Sequence, residues 1–283
     1  MINETIEEIE EMQTHSSSAV AVKAARALRS LTDDEFPTVE EYIRALERNS
    51  SALRRAKPSH ASLFETQREI VATVTDAEAD TVEEAQRLTE ETIERVVDDV
   101  ESAKQDAAER AQELIGDGDT LLVHDYSTTV LRSLELAADA GKVLTVYITE
   151  ARPRYLGRKT ARELAEIDEI EPHLIVDNAH GHFMPECDRV LVGMVSVVDG
   201  KLHNRIGTYP ISVTANDVSV PVTAVGASAK MPEGGFKFVN EFRSVSEVIR
   251  EPPEGFVVEN PNYDATPVEL LDSIVTDEDI LRY

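Results

Sequence analysis

The chain has 283 residues, with 55 Asp and Glu against 28 Lys and Arg, a net charge of −27. The imbalance is even, −14 over residues 1–115 (27 acids, 13 bases) and −13 over 116–283 (28 acids, 15 bases). That excludes a basic nucleic-acid-binding domain and leaves no acidic tail. Only 8 of the 28 bases are Lys, and the pattern reads as a cytoplasmic protein of a salt-loving organism. A single cysteine, Cys187, excludes a disulfide framework and a thiolate zinc site. No apolar run approaches the roughly 20 residues that cross a bilayer, so neither a membrane nor a nucleic acid is an expected partner.

All twelve glycines fall at or after Gly116, and ten of the twelve prolines at or after Pro153. Residues 1–115 therefore lack turn punctuation and are expected to be helical. Apolar residues recur at helical spacing at Ile6, Ile9 and Met12, then from Val20 to Leu31, then at Val39, Tyr42, Ile43 and Leu46, with Thr38 as a candidate N-cap. The pattern from Asp80 to Ile115 predicts one long helix, ended by the turn Gly116-Asp117-Gly118-Asp119, which is taken as the domain boundary.

Beyond it, short β-branched runs alternate with helical segments: 120–124, 143–148, 173–176, 189–193 and 220–225 as strands, with helices at 127–140, 160–167 and 208–217. This is the texture of a parallel sheet covered by helices. The predicted fold is α/β, a helical domain (1–115) followed by a Rossmann-like doubly wound parallel-sheet domain (116–283). Ligands of such sheets bind beyond the carboxyl ends of the strands, which singles out the loops after His124, Ile148, Val176 and Gly193.

The loop after the second strand carries Arg152, Arg154, Arg158 and Lys159, a cluster suited to phosphate or carboxylate, or else a solvated loop balancing nearby acids. The stretch 199–210 has a turn at Asp199-Gly200 and then Asn204, Arg205, Gly207 and Thr208 ahead of a helix, an arrangement that can cradle an anion. A plain capped helix after a hairpin has the same pattern. His173, His180 and His182 lack partners at zinc-site spacing, so no metal or other cofactor is expected. Cys187 reads as a packed thiol.

Taken in order, RRAKPSHASL (54–63), LLVHDYSTTVL (121–131), TEARPRYLG (149–157), LIVDNAH (174–180), RVLVGMVSVVDGKLHNRIGT (189–208), FKF (236–238) and NPNYDATPVELLDSIVT (260–276) resemble the initiation factor 2B alpha/beta/delta group. That group includes methylthioribose-1-phosphate isomerase and archaeal ribose-1,5-bisphosphate isomerase. The resemblance implies dimerisation or higher homo-oligomers through the C-terminal domain, and a pocket between the domains for a phosphorylated sugar or nucleotide. Its ligand-binding residues would be Lys57, Arg152, Arg154, Asn204, Arg205, Gly207 and Thr208.

The isomerases of the group share a His-Cys-Asn segment with a catalytic Cys and a Gly-Ala-Asp segment with an acid/base Asp. Here these read His124-Asp125-Tyr126 and Gly193-Met194-Val195. The Arg-Pro pair is Lys57-Pro58, Asn-Lys is Asn204-Arg205, and the N-terminal Arg-Gly-Ala is replaced near His15-Ser16-Ser17. The expected function is thus a non-catalytic regulatory protein of this group that senses a phosphorylated small molecule, with a translation factor as a candidate partner. The alternative is a sugar-phosphate isomerase of altered chemistry that uses Asp125.

Overall fold

A computed structural model describes residues 2–11, 16–252 and 254–283. Met12 and His15, named above, lie outside the described residues. The chain forms two compact units, one of residues 1–103 with 229–238 and the other of residues 104–228 with 239–283.

The first unit is helical: α1 (Ile2–Glu10), α2 (Ser17–Ala27), α3 (Val39–Ala56), α4 (Ala61–Asp76) and most of α5 (Val82–Gln112). Thr38 caps α3 as its spacing predicts, accepting the Glu41 N–H at 3.2 Å, with Glu40 and Glu41 in the first turn and Arg54 and Arg55 in the last. The apolar stripes meet in a core that includes Leu28, Tyr42, Leu46, Leu53, Leu63, Ile70 and Ile93. The one polar tip among them, the Tyr42 hydroxyl, donates to Thr89 at 2.6 Å, which removes the cost of burying it. The helix expected over 80–115 is the single 31-residue α5.

The second unit runs β1 (Thr120–His124), α6 (Thr128–Asp139), β2 (Leu144–Thr149), α7 (Gly157–Leu164), β3 (Ile170–Ile175), a short α8 (His180–Phe183) and β4 (Arg189–Gly193). It continues through β5 (Ser196–Val198), β6 (Lys201–Arg205), α9 (Thr208–Asp217), β7 (Val222–Val225), β8 (Tyr263–Pro267), β9 (Ser273–Val275) and β10 (Ile280–Arg282). The main sheet has the order β10-β9-β7-β4-β1-β2-β3, parallel except for β10. This is the predicted α/β architecture, and its strand order reverses between β1 and β4, where open sheets of this kind bind ligands.

Strands β9 and β10 are absent from the prediction, and so is a second layer, a separate antiparallel sheet of β5, β6 and β8. Its hairpin turns on Asp199 and Gly200, both at positive φ (51° and 69°), as a two-residue loop between paired strands requires. The hairpin leaves β4 and returns to α9, so it places Arg205 and Thr208 close to the carboxyl end of the main sheet.

Candidate functional site

At the reversal of strand order, β1 ends in His124 and passes into Asp125, which takes a left-handed backbone (φ 66°) uncommon for a residue with a side chain. Asp125 Oδ2 accepts from Arg205 Nε at 2.8 Å, and the two side chains are about nine-tenths buried. Burial works most strongly against the Arg205 charge, but Asp125, Tyr263 and Glu241 together raise the guanidinium pKa above its ordinary value. Arg205 also donates through Nη1 to Asn262 Oδ1 and lies over the Tyr263 ring. Two polar atoms beside this guanidinium, Asp125 Oδ1 and Asn262 Nδ2, are buried without a hydrogen-bond partner.

His124 is fixed by its surroundings. Nε2 meets the Ile206 carbonyl at 2.9 Å, and since a carbonyl only accepts, Nε2 carries the proton. Nδ1 then accepts the Thr149 hydroxyl at 2.6 Å. Burial pushes this imidazole's pKa down, with Asp125 opposing, so the ring is held neutral.

The basic loop after β2 divides. Arg158 pairs with Glu150 at 2.8 Å and stacks on Tyr155, and Lys159 lies over the Tyr126 ring with Glu163 at 3.7 Å; these two charges are balanced locally. Arg152 is exposed with its guanidinium over Tyr155, while its N–H and that of Ala151 donate to the Asp177 carboxylate at 2.8 Å each. Arg154 is instead largely buried, with Glu247 Oε1 at 4.0 Å and the Arg243 and Arg205 guanidiniums within electrostatic reach. Burial first, then those two like charges, lower its pKa.

The expected anion cradle ahead of α9 holds an anion of the chain's own. The N–H groups of Gly207 and Tyr209 donate to Asp264 Oδ2 at 2.7 and 3.0 Å, which satisfies the helix terminus from β8. Asn204 and Thr208 are likewise turned inward: Asn204 Nδ2 donates to the Thr208 hydroxyl at 3.1 Å, which donates to the Arg205 carbonyl at 2.7 Å. Arg154 and Arg205 therefore come together near Asp125, while Asn204, Gly207 and Thr208 build the turn that carries Arg205.

Lys57 belongs to the first unit, at the end of α3. It lines a cavity of about 210 Å³ with Arg54, Arg55, His60, Phe64 and Lys237, and its Nζ donates to the Glu10 carbonyl at 3.4 Å. Val195, between β4 and β5, is aliphatic and half-buried, its N–H donating to the His203 carbonyl at 3.0 Å. The Cys187 thiol is pushed up to about 12 by burial and donates to the Phe183 carbonyl. His180 is tied to the Asp177 carbonyl and Thr214.

Arg243, Glu247, Asn260, Asn262 and Asp264 escape sequence reasoning. They lie in the irregular stretch after β7 or at the start of β8, where no periodicity marks them. The Asn262-Tyr263-Asp264 run within the family-like segment 260–276 is the one signal that could have found some of them.

The model of the Initiation factor 2 subunit family matches residues 13–282. A ribose 1,5-bisphosphate isomerase of Haloferax volcanii is 30% identical, over 98% of this chain and 87% of its own. A methylthioribose-1-phosphate isomerase of Acetivibrio thermocellus is also 30% identical, over 98% and 87%. Among solved structures, the Pyrococcus horikoshii translation initiation factor eIF-2B superposes with a TM-score of 0.83 at 25% identity, covering 99% of this chain and 96% of that one. With the strand order and the site at its reversal, these matches are enough to conclude that the chain belongs to the Initiation factor 2 subunit family.

Proposed function

We propose that the chain is a sugar-phosphate isomerase interconverting a phosphorylated aldose and ketose, in the manner of its ribose 1,5-bisphosphate and methylthioribose-1-phosphate isomerase relatives. The reading reverses the expectation of a non-catalytic protein, and one observation carries it. Asp125 holds one carboxylate oxygen on Arg205 and leaves the other buried without a partner, at the reversal point of the sheet.

Such an isomerisation moves hydrogen between adjacent carbons, so it needs a group that takes and returns a proton and a cation near the oxygen that gains charge. Asp125 Oδ1 is available for the first task and Arg205 for the second. An unpartnered buried carboxylate oxygen costs folding free energy of about 1–3 kcal/mol or more, a cost that a substrate hydroxyl would remove.

Turnover of ribose 1,5-bisphosphate and methylthioribose 1-phosphate by the purified protein, followed by phosphorus NMR, is the test. Wild type is expected to turn over one of them, and Asp125→Asn to lose about 10²- to 10⁴-fold. Val195 favours a second reading, a regulatory protein that binds the same ligands and acts through self-association or a translation-factor partner, because an aliphatic side chain stands where the group's isomerases have an acid. Binding without turnover by wild type would replace the first reading with the second.

A further inference from the structure

Several cations of the helical unit are matched by carboxylates: Lys23, Arg29, Arg68, Arg87 and Arg95 each pair with a Glu of the same unit. Arg54, Arg55 and Lys237 are not. Arg55 Nη1 donates to the Ser51 hydroxyl at 2.8 Å and Arg54 lies over the Phe64 ring, 5.4 Å from its centroid, but among the described residues no carboxylate pairs with any of the three. All three line the cavity of about 210 Å³ in that unit, and among the described residues no Asp or Glu lines it. In a chain of 55 acids and 28 bases, chance placement would put carboxylates there first.

Part of this has a plain structural cause. Arg54 and Arg55 stand in the last turn of α3, where the helix macrodipole favours cations. Lys237 has no such cause. It arrives on the 229–238 segment, which returns to the helical unit after β7, and its neighbour Phe236 packs on Phe64 with ring centroids 5.5 Å apart. A third cation is thereby brought to two others with no carboxylate among them, an arrangement that self-repulsion opposes and a bound anion would relieve.

The shape and chemistry of the lining narrow the ligand. Stacking on a ring occupies the face of a guanidinium and leaves its N–H donors for an oxyanion. A phosphate monoester, with a charge of about −1.5 to −2 near pH 7, suits several cations better than a single carboxylate does. Phe64, Phe236 and Pro58 supply an apolar wall beside those cations. A dry cavity of about 150 Å³ holds benzene, so 210 Å³ accommodates one ring with a small charged group.

We propose that this cavity is a binding site for a phosphate monoester carried on a small apolar body, with Arg54, Arg55 and Lys237 on the phosphate and Phe64 and Phe236 on the body. Every one of these residues belongs to the helical unit, so the site stands whether or not Asp125 is catalytic. Calorimetric titration of the full chain with phenyl phosphate should show binding that weakens about tenfold in Arg54→Gln and in Lys237→Gln, the loss of one charge-assisted bond, and that Lys237→Arg retains. Inorganic phosphate, with no ring to bury, should bind several-fold more weakly than phenyl phosphate. Asp125→Asn should bind phenyl phosphate as wild type does. Thermal melts identify any variant that fails to fold, and Lys237→Gln, at an exposed position, suffices if Arg54→Gln does. Cations that serve only the end of α3 give another pattern, a lower melting temperature in Arg54→Gln with no change of binding in either variant, and that pattern overturns the proposal. So does a wild type that does not bind phenyl phosphate, inorganic phosphate bound as tightly, or binding lost in Asp125→Asn. Turnover of a sugar phosphate without phenyl phosphate binding would leave the isomerase reading standing while this site falls.

Discussion

Gly207 lies against the His124 imidazole with no room for a side chain between them: a Cβ at position 207 would stand 2.7 Å from Cε1 and 2.8 Å from Nε2. The backbone there has φ 110°, a conformation that L side chains rarely adopt. His124 cannot yield, because both ring nitrogens are hydrogen-bonded in a buried site. Gly207→Ala is therefore expected to destabilise the protein by roughly 2–4 kcal/mol, from backbone strain and overpacking together. Urea unfolding measures it, and an unchanged midpoint would contradict the close packing.

His124 gives the protein a pH dependence of definite sign. Its native pKa lies below the ordinary 6.5, chiefly through burial. Above that value native and unfolded imidazoles are both neutral and the residue contributes no slope. As pH falls below it, the unfolded chain takes up a proton that the native chain refuses, and stability drops by up to about 1.4 kcal/mol per pH unit until the native pKa is reached. His203, also lowered by burial, acts in the same direction. Unfolding of wild type and His124→Gln between about pH 5 and 7 should show a shallower slope in the variant; parallel curves would mean that His124 titrates alike in the native and unfolded states.

Asp264 stands in for an external anion at α9, and removing it should restore the demand for one. Asp264→Ala leaves the N–H groups of Gly207 and Tyr209 without their carboxylate, at a cost of about 0.5–2 kcal/mol. Added sulfate should raise the melting temperature of the variant more than that of wild type. Equal gains in both would mean that solvent alone satisfies the helix terminus.

The charge of −27 sets a fourth expectation. Lowering KCl from 1 M to 0.1 M lengthens the screening distance from about 3 Å to about 10 Å and strengthens self-repulsion. The melting temperature should fall steadily over that range. A flat profile would remove the salt-loving reading of the composition.

The parallel strands β1, β2, β3, β4 and β7 and helix α9 were legible in the sequence because each carries its own signal, such as continuous β-branched runs for β1 and β4 and Gly207-Thr208 ahead of residues 208–217; the parallel β9 (Ser273–Val275) was not expected. The bounds of α9 matched the expected range, whereas β3 begins three residues before its expected start. Arg154 and Arg205 were legible as cations on loops at the right edge of the sheet. What occupies them was not, since Glu247 and Asp125 are far from them in the chain and reach them through the irregular stretch after β7 and the turn after β1. Asp264 illustrates the same limit. A helix start that can hold a phosphate and one already holding a carboxylate from a distant strand have identical local sequences.

The return of residues 229–238 to the first unit also affects how the protein is made. Phe236 packs on Phe64 with ring centroids 5.5 Å apart, and Arg68 donates to the Gly234 carbonyl, 166 residues further along the chain. During synthesis the helices α1–α5 leave the ribosome long before that segment exists, so Phe64 waits without its aromatic partner while β1, β2, β3, β4 and β7 of the parallel sheet are translated. Contacts of such sequence separation form slowly, and a nascent chain stalled before residue 229 would present that uncovered face to chaperones and to other copies of itself.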